Sequence, residues 1–211
     1  MSVAIIDYGM GNLASVKRAV EECGFQPFIT DSPFLLSKAS HLILPGVGSF
    51  DKAMENLNKL GLTEEISKQA LKNKIPLLGI CLGMQLLASK GYEGKETEGL
   101  GLIEGEVAKL DGCQANEPLP HVGWNNVDLE EREKQEPTLF KEIETSKDFY
   151  FVHSYHFIPD NESVVLAKTP YCLNGKGFVS VIQKDNIFAV QFHPEKSQKL
   201  GLQLLKNFLQ E

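Results

Sequence analysis

Cys81 lies in the run Pro76-Leu77-Leu78-Gly79-Ile80-Cys81-Leu82-Gly83-Met84-Gln85, where an apolar stretch of strand character meets a helical stretch, Met84 to Ala88. Glycines two residues before and two after the cysteine let the chain turn sharply from strand to helix. The same construction raises the serine of a nucleophile elbow to the tip of its turn. A helix N-terminus beneath a thiol favours the thiolate, because its first N–H groups and the helix dipole point at the sulfur. A thiol nucleophile also needs a base. Phe192-His193-Pro194-Glu195 supplies an imidazole with a carboxylate two residues beyond it. Cys81, His193 and Glu195 therefore form a candidate nucleophile, base and orienter. A cysteine after an apolar strand is more often just a small buried residue. The flanking glycines and the distant His-Pro-Glu are what favour chemistry here.

Other motifs compete for attention. Pro45-Gly46-Val47-Gly48-Ser49-Phe50 follows the apolar run His41 to Leu44. Its two glycines let backbone N–H groups turn toward a ligand. In a thiol acyl-transfer enzyme such a turn is half of an oxyanion hole, the other half being the N–H of Leu82; otherwise it is a tight strand–helix turn. Gly9-Met10-Gly11-Asn12-Leu13-Ala14 fits a dinucleotide fingerprint, with Asp31 downstream. That reading leaves Cys81, the Pro-Gly-Val-Gly turn and His193/Glu195 unexplained. His153 and His156 stand three apart in an aromatic strand, so they point to opposite faces and do not suit one metal ion. Pro118 to Asn125 holds the lone tryptophan, Trp124, and reads as a structural turn with a buried aromatic or, with Gly9 to Asn12, as a surface patch for a partner.

These groups need a scaffold to bring them together. The 211 residues, 42 % hydrophobic and 23 % charged, suit one soluble domain spanning 1–211, and the proposed triad crosses both halves of it. The first half alternates strands with helices: Val3 to Asp7, a helix Asn12 to Cys23 ended by Gly24, Gln26 to Thr30, His41 to Leu44, helices Phe50 to Leu60 and Thr63 to Asn73, then Pro76 to Ile80. Such alternation implies a mostly parallel sheet covered on both faces. The second half turns to strands: Leu102 to Leu110, Trp124 to Leu129, Asp148 to Ile158, Ser163 to Lys168 and a hairpin Phe178 to Phe192. Glu130 to Glu136 reads as a charged surface loop or helix start, and Ser197 to Leu209 as a closing amphipathic helix. The net charge of −7 argues against general nucleic-acid binding. No apolar run approaches a membrane span, and the N-terminus shows no signal peptide. Four scattered cysteines without metal spacing then read as free thiols in a reducing cytoplasm.

Taken together, the segments Asp7 to Leu13, Leu44 to Phe50, Gly79 to Gln85, Pro120 to Asn125, Phe151 to Tyr155 and Gln191 to Ser197 resemble the class I (triad) glutamine amidotransferases, over nearly the whole chain. The first, fourth and fifth segments resemble the branch that feeds ammonia to a (β/α)8-barrel cyclase subunit in a heterodimer. The resemblance implies a flavodoxin-like three-layer α/β/α fold and no cofactor or metal. It implies that Cys81 attacks the side-chain amide of glutamine, that His193 moves the proton and that Glu195 orients the imidazole. It assigns Val47 and Leu82 to the oxyanion through their N–H groups. It assigns Gly48, Gln85, Glu93, Ser154 and Tyr155 to the glutamine substrate. Gly9, Met10, Gly11, Asn12, His121, Trp124, Asn125 and Lys196 fall to the partner surface. A stand-alone cysteine hydrolase, with no need of glutamine or a barrel, and a binding module that lost its chemistry are the other classes open. An intact Cys81/His193/Glu195 set argues against the second.

Overall fold

A computed structural model of the chain describes residues 2–114, 117–130, 138–143 and 147–211. Residues 131–136 of the expected charged loop lie outside the described residues. The first half runs β1 (Val3–Ile6), α1 (Leu13–Glu22), β2 (Pro27–Thr30), α2 (Pro33–Leu36), β3 (His41–Gly46), α3 (Phe50–Lys59), α4 (Leu62–Ser67), β4 (Leu77–Cys81) and α5 (Leu82–Gln85). The second half runs β5 (Lys90–Gly91), β6 (Thr97–Glu98), β7 (Gly105–Lys109), β8 (His121–Leu129), β9 (Lys147–His153), β10 (Tyr155–Pro159), β11 (Val165–Thr169), β12 (Phe178–Lys184), β13 (Ile187–Val190) and α6 (Gln198–Phe208).

One sheet of nine strands, in the order β2-β1-β3-β4-β13-β12-β11-β8-β9, crosses the molecule. Its strands β2, β1, β3, β4 and β13 pair in parallel. From β13 onward every pairing is antiparallel. The expected α/β class with helices on both faces holds, with the parallel pairing of the large sheet confined to the end that carries Cys81. A smaller sheet, β10-β7-β5-β6, packs on one side.

The inner parallel strands β1, β4 and β13 are buried along their whole length and carry almost only apolar side chains, because both faces are covered. Alternate residues of β1 serve opposite layers. Val3 and Ile5 join a cluster with Val16 and Val20 of α1 and Leu204, Leu205 and Phe208 of α6. Ala4 and Ile6 join another with Leu36 of α2, Met54 and Leu57 of α3 and Ile66 of α4. Each of these large side chains stabilises the fold by roughly 2 kcal/mol through removal from water. Gly24, at φ 88°, ends the α1 segment as expected.

The course of the chain departs from the sequence reading at several points. The single strand expected over Asp148 to Ile158 breaks at Ser154: β9 belongs to the large sheet and β10 to the small one. The helix expected over Thr63 to Asn73 changes from α4 into a π turn at Lys68–Lys72. Cys113 and Cys172 are not free thiols but a disulfide, so Cys23 and Cys81 are the free cysteines among the described residues. Backbone bonds from Leu173 to Asp111 and from Asn174 to Gly112 bring those two segments together across 59 residues of sequence.

Gly83 shows how tightly the elbow packs. A Cβ there would overlap the Leu44 carbonyl oxygen of β3 and sit 2.8 Å from its carbon. Backbone offers no rotamer to relieve such overlap. Gly83→Ala should therefore cost about 3 kcal/mol, near the upper end for overpacking, and lower the melting temperature by roughly 6–12 °C. Gly24→Ala, at a positive φ but in open space, should cost only about 1 kcal/mol. Calorimetry on the two variants checks the order.

Candidate active site

The parallel register gathers the chemistry at one edge. Gly46 of β3 lies beside Cys81 of β4, and Val190 of β13 lies beside Ile80. The strands' C-terminal ends therefore release Val47-Gly48, Cys81 and Gln191-Phe192-His193 side by side, where open α/β sheets place their ligands. Cys81 is held at φ 54°, ψ −109°, with its residue 5 % exposed. A positive φ on a non-glycine costs on the order of 1–3 kcal/mol and persists only where the surroundings enforce it. The helix expected after it is a single turn, α5, so the dipole beneath the thiol is weaker than the sequence implied.

The imidazole supplies what that short helix does not. His193 Nδ1 and Glu195 Oε1 are 2.9 Å apart, both side chains almost wholly buried. Burial alone would push His193 down. The negative charge of Cys81, then the Glu195 carboxylate through its hydrogen bond and its charge, outweigh that and raise the ring to about 10. His193 Nε2 has no hydrogen-bond partner within the described protein and is available for a proton shared with the sulfur and substrate. The backbone at His193 is pinned to β9: its N–H donates to Tyr150 O at 2.9 Å. The Ser197 hydroxyl donates to His193 O at 2.7 Å and accepts from Tyr150 N–H at 3.0 Å.

A cavity of about 170 Å³ opens on the sulfur. Val47, Gly48, Cys81, Leu82, Gln85, Glu93, Ser154 and Tyr155 line it, all named in the sequence, together with Val152 and His153. Gly48 sits at φ 105°, and a Cβ there would meet Met10 Cε at 2.6 Å, so the turn takes only glycine and rests on the Gly9–Asn12 loop. Gln85 spends its amide on the protein, donating to Tyr155 O at 2.8 Å and Gln191 Oε1 at 3.0 Å. Glu93 accepts the Phe50 N–H at 2.9 Å. Half-burial raises its carboxyl above the usual range; the Phe50 bond lowers it and Asp51 raises it further. A larger cavity of about 440 Å³, lined by His156, Lys109 and Lys176, includes none of these groups.

The residues expected on a partner surface divide. Trp124 is 47 % exposed on β8, beside Val122 at 55 %. Its ring meets Tyr150 edge-on, and Lys196 Nζ lies 5.7 Å from the centre of the Tyr150 ring. Gly9, Met10 and Gly11 line the loop after β1 and keep exposed surface. His121 does not face outward: it is 3 % exposed, because alternation along β8 turns it inward while Val122 and Trp124 turn out. Asn12 turns inward as well, and its Nδ2 donates to Glu195 Oε1 at 3.3 Å.

Two residues near Cys81 were not legible as function. Gln191, fully buried, donates to Cys81 Sγ at 3.6 Å. The one available signal is its spacing two residues before His193 on an extended chain, which puts both on one side. Tyr8 donates its hydroxyl to Pro45 O at 2.9 Å beneath the Val47–Gly48 turn. Burial, then the charge of Cys81, pushes that hydroxyl well above its usual range and keeps it a neutral donor.

A family model for glutamine amidotransferase class-I matches residues 4–211. The imidazole glycerol phosphate synthase subunit HisH 1 of Campylobacter jejuni is 51 % identical over 207 residues, covering 98 % of each chain. The HisH subunit of Aquifex aeolicus is 47 % identical over 209 residues, 99 % of this chain and 96 % of that one. Among solved structures, a glutamine amidotransferase superposes with a TM-score of 0.74 at 21 % identity, over 99 % of this chain and 97 % of the other. Another, from Thermotoga maritima, gives 0.66 at 18 % identity, over 100 % and 96 %. The superpositions show the fold; the matching family model and the half of all positions shared with HisH subunits show that the chain belongs to the class-I glutamine amidotransferases, in the branch of the imidazole glycerol phosphate synthase HisH subunits.

Proposed function

We propose that this chain hydrolyses glutamine to glutamate and ammonia and delivers the ammonia to a (β/α)8-barrel cyclase subunit, as the glutaminase half of a heterodimeric imidazole glycerol phosphate synthase in histidine biosynthesis. The observation that carries the chemistry is the His193 imidazole, bonded to Glu195 and raised by Cys81. The Cys81 thiolate attacks the side-chain carbonyl carbon of glutamine. The N–H groups of Val47 and Leu82 receive the oxyanion, where losing one donor costs on the order of 3 kcal/mol. The His193 imidazolium gives its Nε2 proton to the departing nitrogen as the C–N bond breaks, leaving a glutamyl thioester and ammonia. His193, now neutral, takes a proton from water, and the hydroxide releases glutamate and the thiolate. Glu195 holds the imidazole through Nδ1.

Gly48, Gln85, Glu93, Ser154 and Tyr155 hold the substrate, Glu93 facing its ammonium group. Gly9 to Gly11, Trp124 and Lys196 form the partner surface in this reading, while Asn125 lies on the face of β8 opposite Trp124, bonded to His121. The chemistry needs neither cofactor nor metal, and neither a nucleic acid nor a membrane is a partner. Among the described residues no helix is long and apolar enough to cross a membrane. We place the protein in the cytoplasm.

Cys81→Ala should abolish ammonia release with an unchanged circular dichroism spectrum. Because the Cys81 charge is the largest influence raising His193, the same variant should also lower the pH at which that imidazole loses its proton. In the wild type the ring stays protonated above neutrality and deprotonates toward about 10, which an imidazole ¹⁵N titration reads. Glu93→Gln should raise KM for glutamine by roughly tenfold with kcat nearly kept, the effect of losing one half-buried charge partner. For the wild type, KM should climb as the pH falls through the raised Glu93 value, since protonation removes the charge that meets the ammonium. Trp124→Ala should weaken binding of the barrel subunit by about 2 kcal/mol in titration calorimetry and leave the melting temperature within a few degrees.

A further inference from the structure

His121 and His153 are buried, at 3 % and 7 % exposure, and the triad uses neither. His121 stacks on Tyr171 and Phe151, a space a phenylalanine would fill without the cost of burying ring nitrogens. The nitrogens are engaged instead. His153 Nδ1 lies 2.8 Å from the Tyr155 carbonyl oxygen, which only accepts, so that nitrogen carries the proton. Burial pushes His153 down to about 3 and His121 down to about 4, so both rings are neutral. A neutral His153 with its proton on Nδ1 presents a lone pair at Nε2. His121 Nδ1, 3.1 Å away, must donate to it. His121 Nε2 is then an acceptor, and Asn125 Nδ2 donates to it at 3.3 Å.

Every donor in this series points the same way, from Asn125 on β8 to the Tyr155 carbonyl. That carbonyl also accepts from Gln85, which donates to Gln191, which donates to the Cys81 sulfur. Asn125 is half-buried on β8, whose opposite face exposes Val122 and Trp124.

We propose that His121 and His153, both in the neutral Nδ1–H tautomer, are positioning residues of the glutaminase: they join β8 to the Tyr155 carbonyl and thereby fix Gln85, Gln191 and the Cys81 sulfur. This deepens the glutaminase reading and rests on it. Serial links make a distinctive demand: cutting the series at two places costs no more than cutting it once, whereas two independent packing defects multiply.

The test uses the full chain, as wild type, His121→Phe, Asn125→Leu and the double variant. Imidazole ¹⁵N spectra of the wild type should show both rings neutral with Nδ1–H. Glutaminase assays should show kcat lowered about tenfold in His121→Phe with KM changed less, the worth of about one hydrogen bond. The double variant should match His121→Phe. An Nε2–H or doubly protonated ring at neutral pH, a full kcat in His121→Phe, or losses that multiply in the double variant would each overturn the proposal. Should His121→Phe not fold, Asn125→Leu alone must lower kcat, and an unchanged kcat there overturns it. Wild-type turnover, measured alongside, separates the two readings: turnover with an unaffected variant removes the positioning role alone, and no turnover removes the glutaminase reading and this role with it.

Discussion

The backbone of Cys81 is held where a non-glycine residue does not rest willingly, and the surrounding structure exists in large part to hold it there. At φ 54°, ψ −109° the residue is at the tip of a turn from β4 into α5. β4 cannot relax, because it is bonded in parallel to β3 on one side and β13 on the other. α5 cannot drift away, because Gly83 lies against the Leu44 backbone of β3. The parallel register then does the rest: the ends of β3 and β13 emerge beside the sulfur and deliver the Val47–Gly48 turn and the Gln191–His193 segment to it.

Burial acts on all the histidines near this site, yet their charge states diverge. His153 and His121 are driven down by desolvation with no anion in contact to oppose it, so they remain neutral connectors. His193 is as deeply buried but stands between Cys81 and Glu195, and those two reverse the direction. Of these three rings His193 alone is held toward its charged form, while the two beside it stay neutral. Gln191, Gln85 and Tyr8 extend that neutral shell.

The candidate triad was legible because its signals are local: glycines around a cysteine after an apolar strand, and a carboxylate two residues past a histidine. The parallel half was legible from apolar runs alternating with helical periodicity. What escaped depended on tertiary placement. Asp148 to Ile158 reads as one strand because its extended character continues through Ser154, where the chain leaves one sheet for another. The Cys113–Cys172 bond joins residues 59 apart with no spacing pattern to announce it. His121 and Asn12 sit in segments whose neighbours face outward, and only strand alternation and loop geometry show His121 turning into the interior and Asn12 toward Glu195. The length of α5 was overread, since Leu86 and Ala88 are as apolar as a helix would need but follow a single turn.

The account's central claim is that glutamine reacts covalently at Cys81. A glutamine analogue carrying an electrophilic diazoketone in place of the side-chain amide tests it directly, with the adduct located by mass spectrometry of peptides and residual glutaminase activity followed in parallel. The account predicts a single adduct, on Cys81, formed in step with loss of activity and slowed by added glutamine. An adduct on Cys23, the other free thiol among the described residues, or full glutaminase activity in a chain labelled at Cys81, would contradict it.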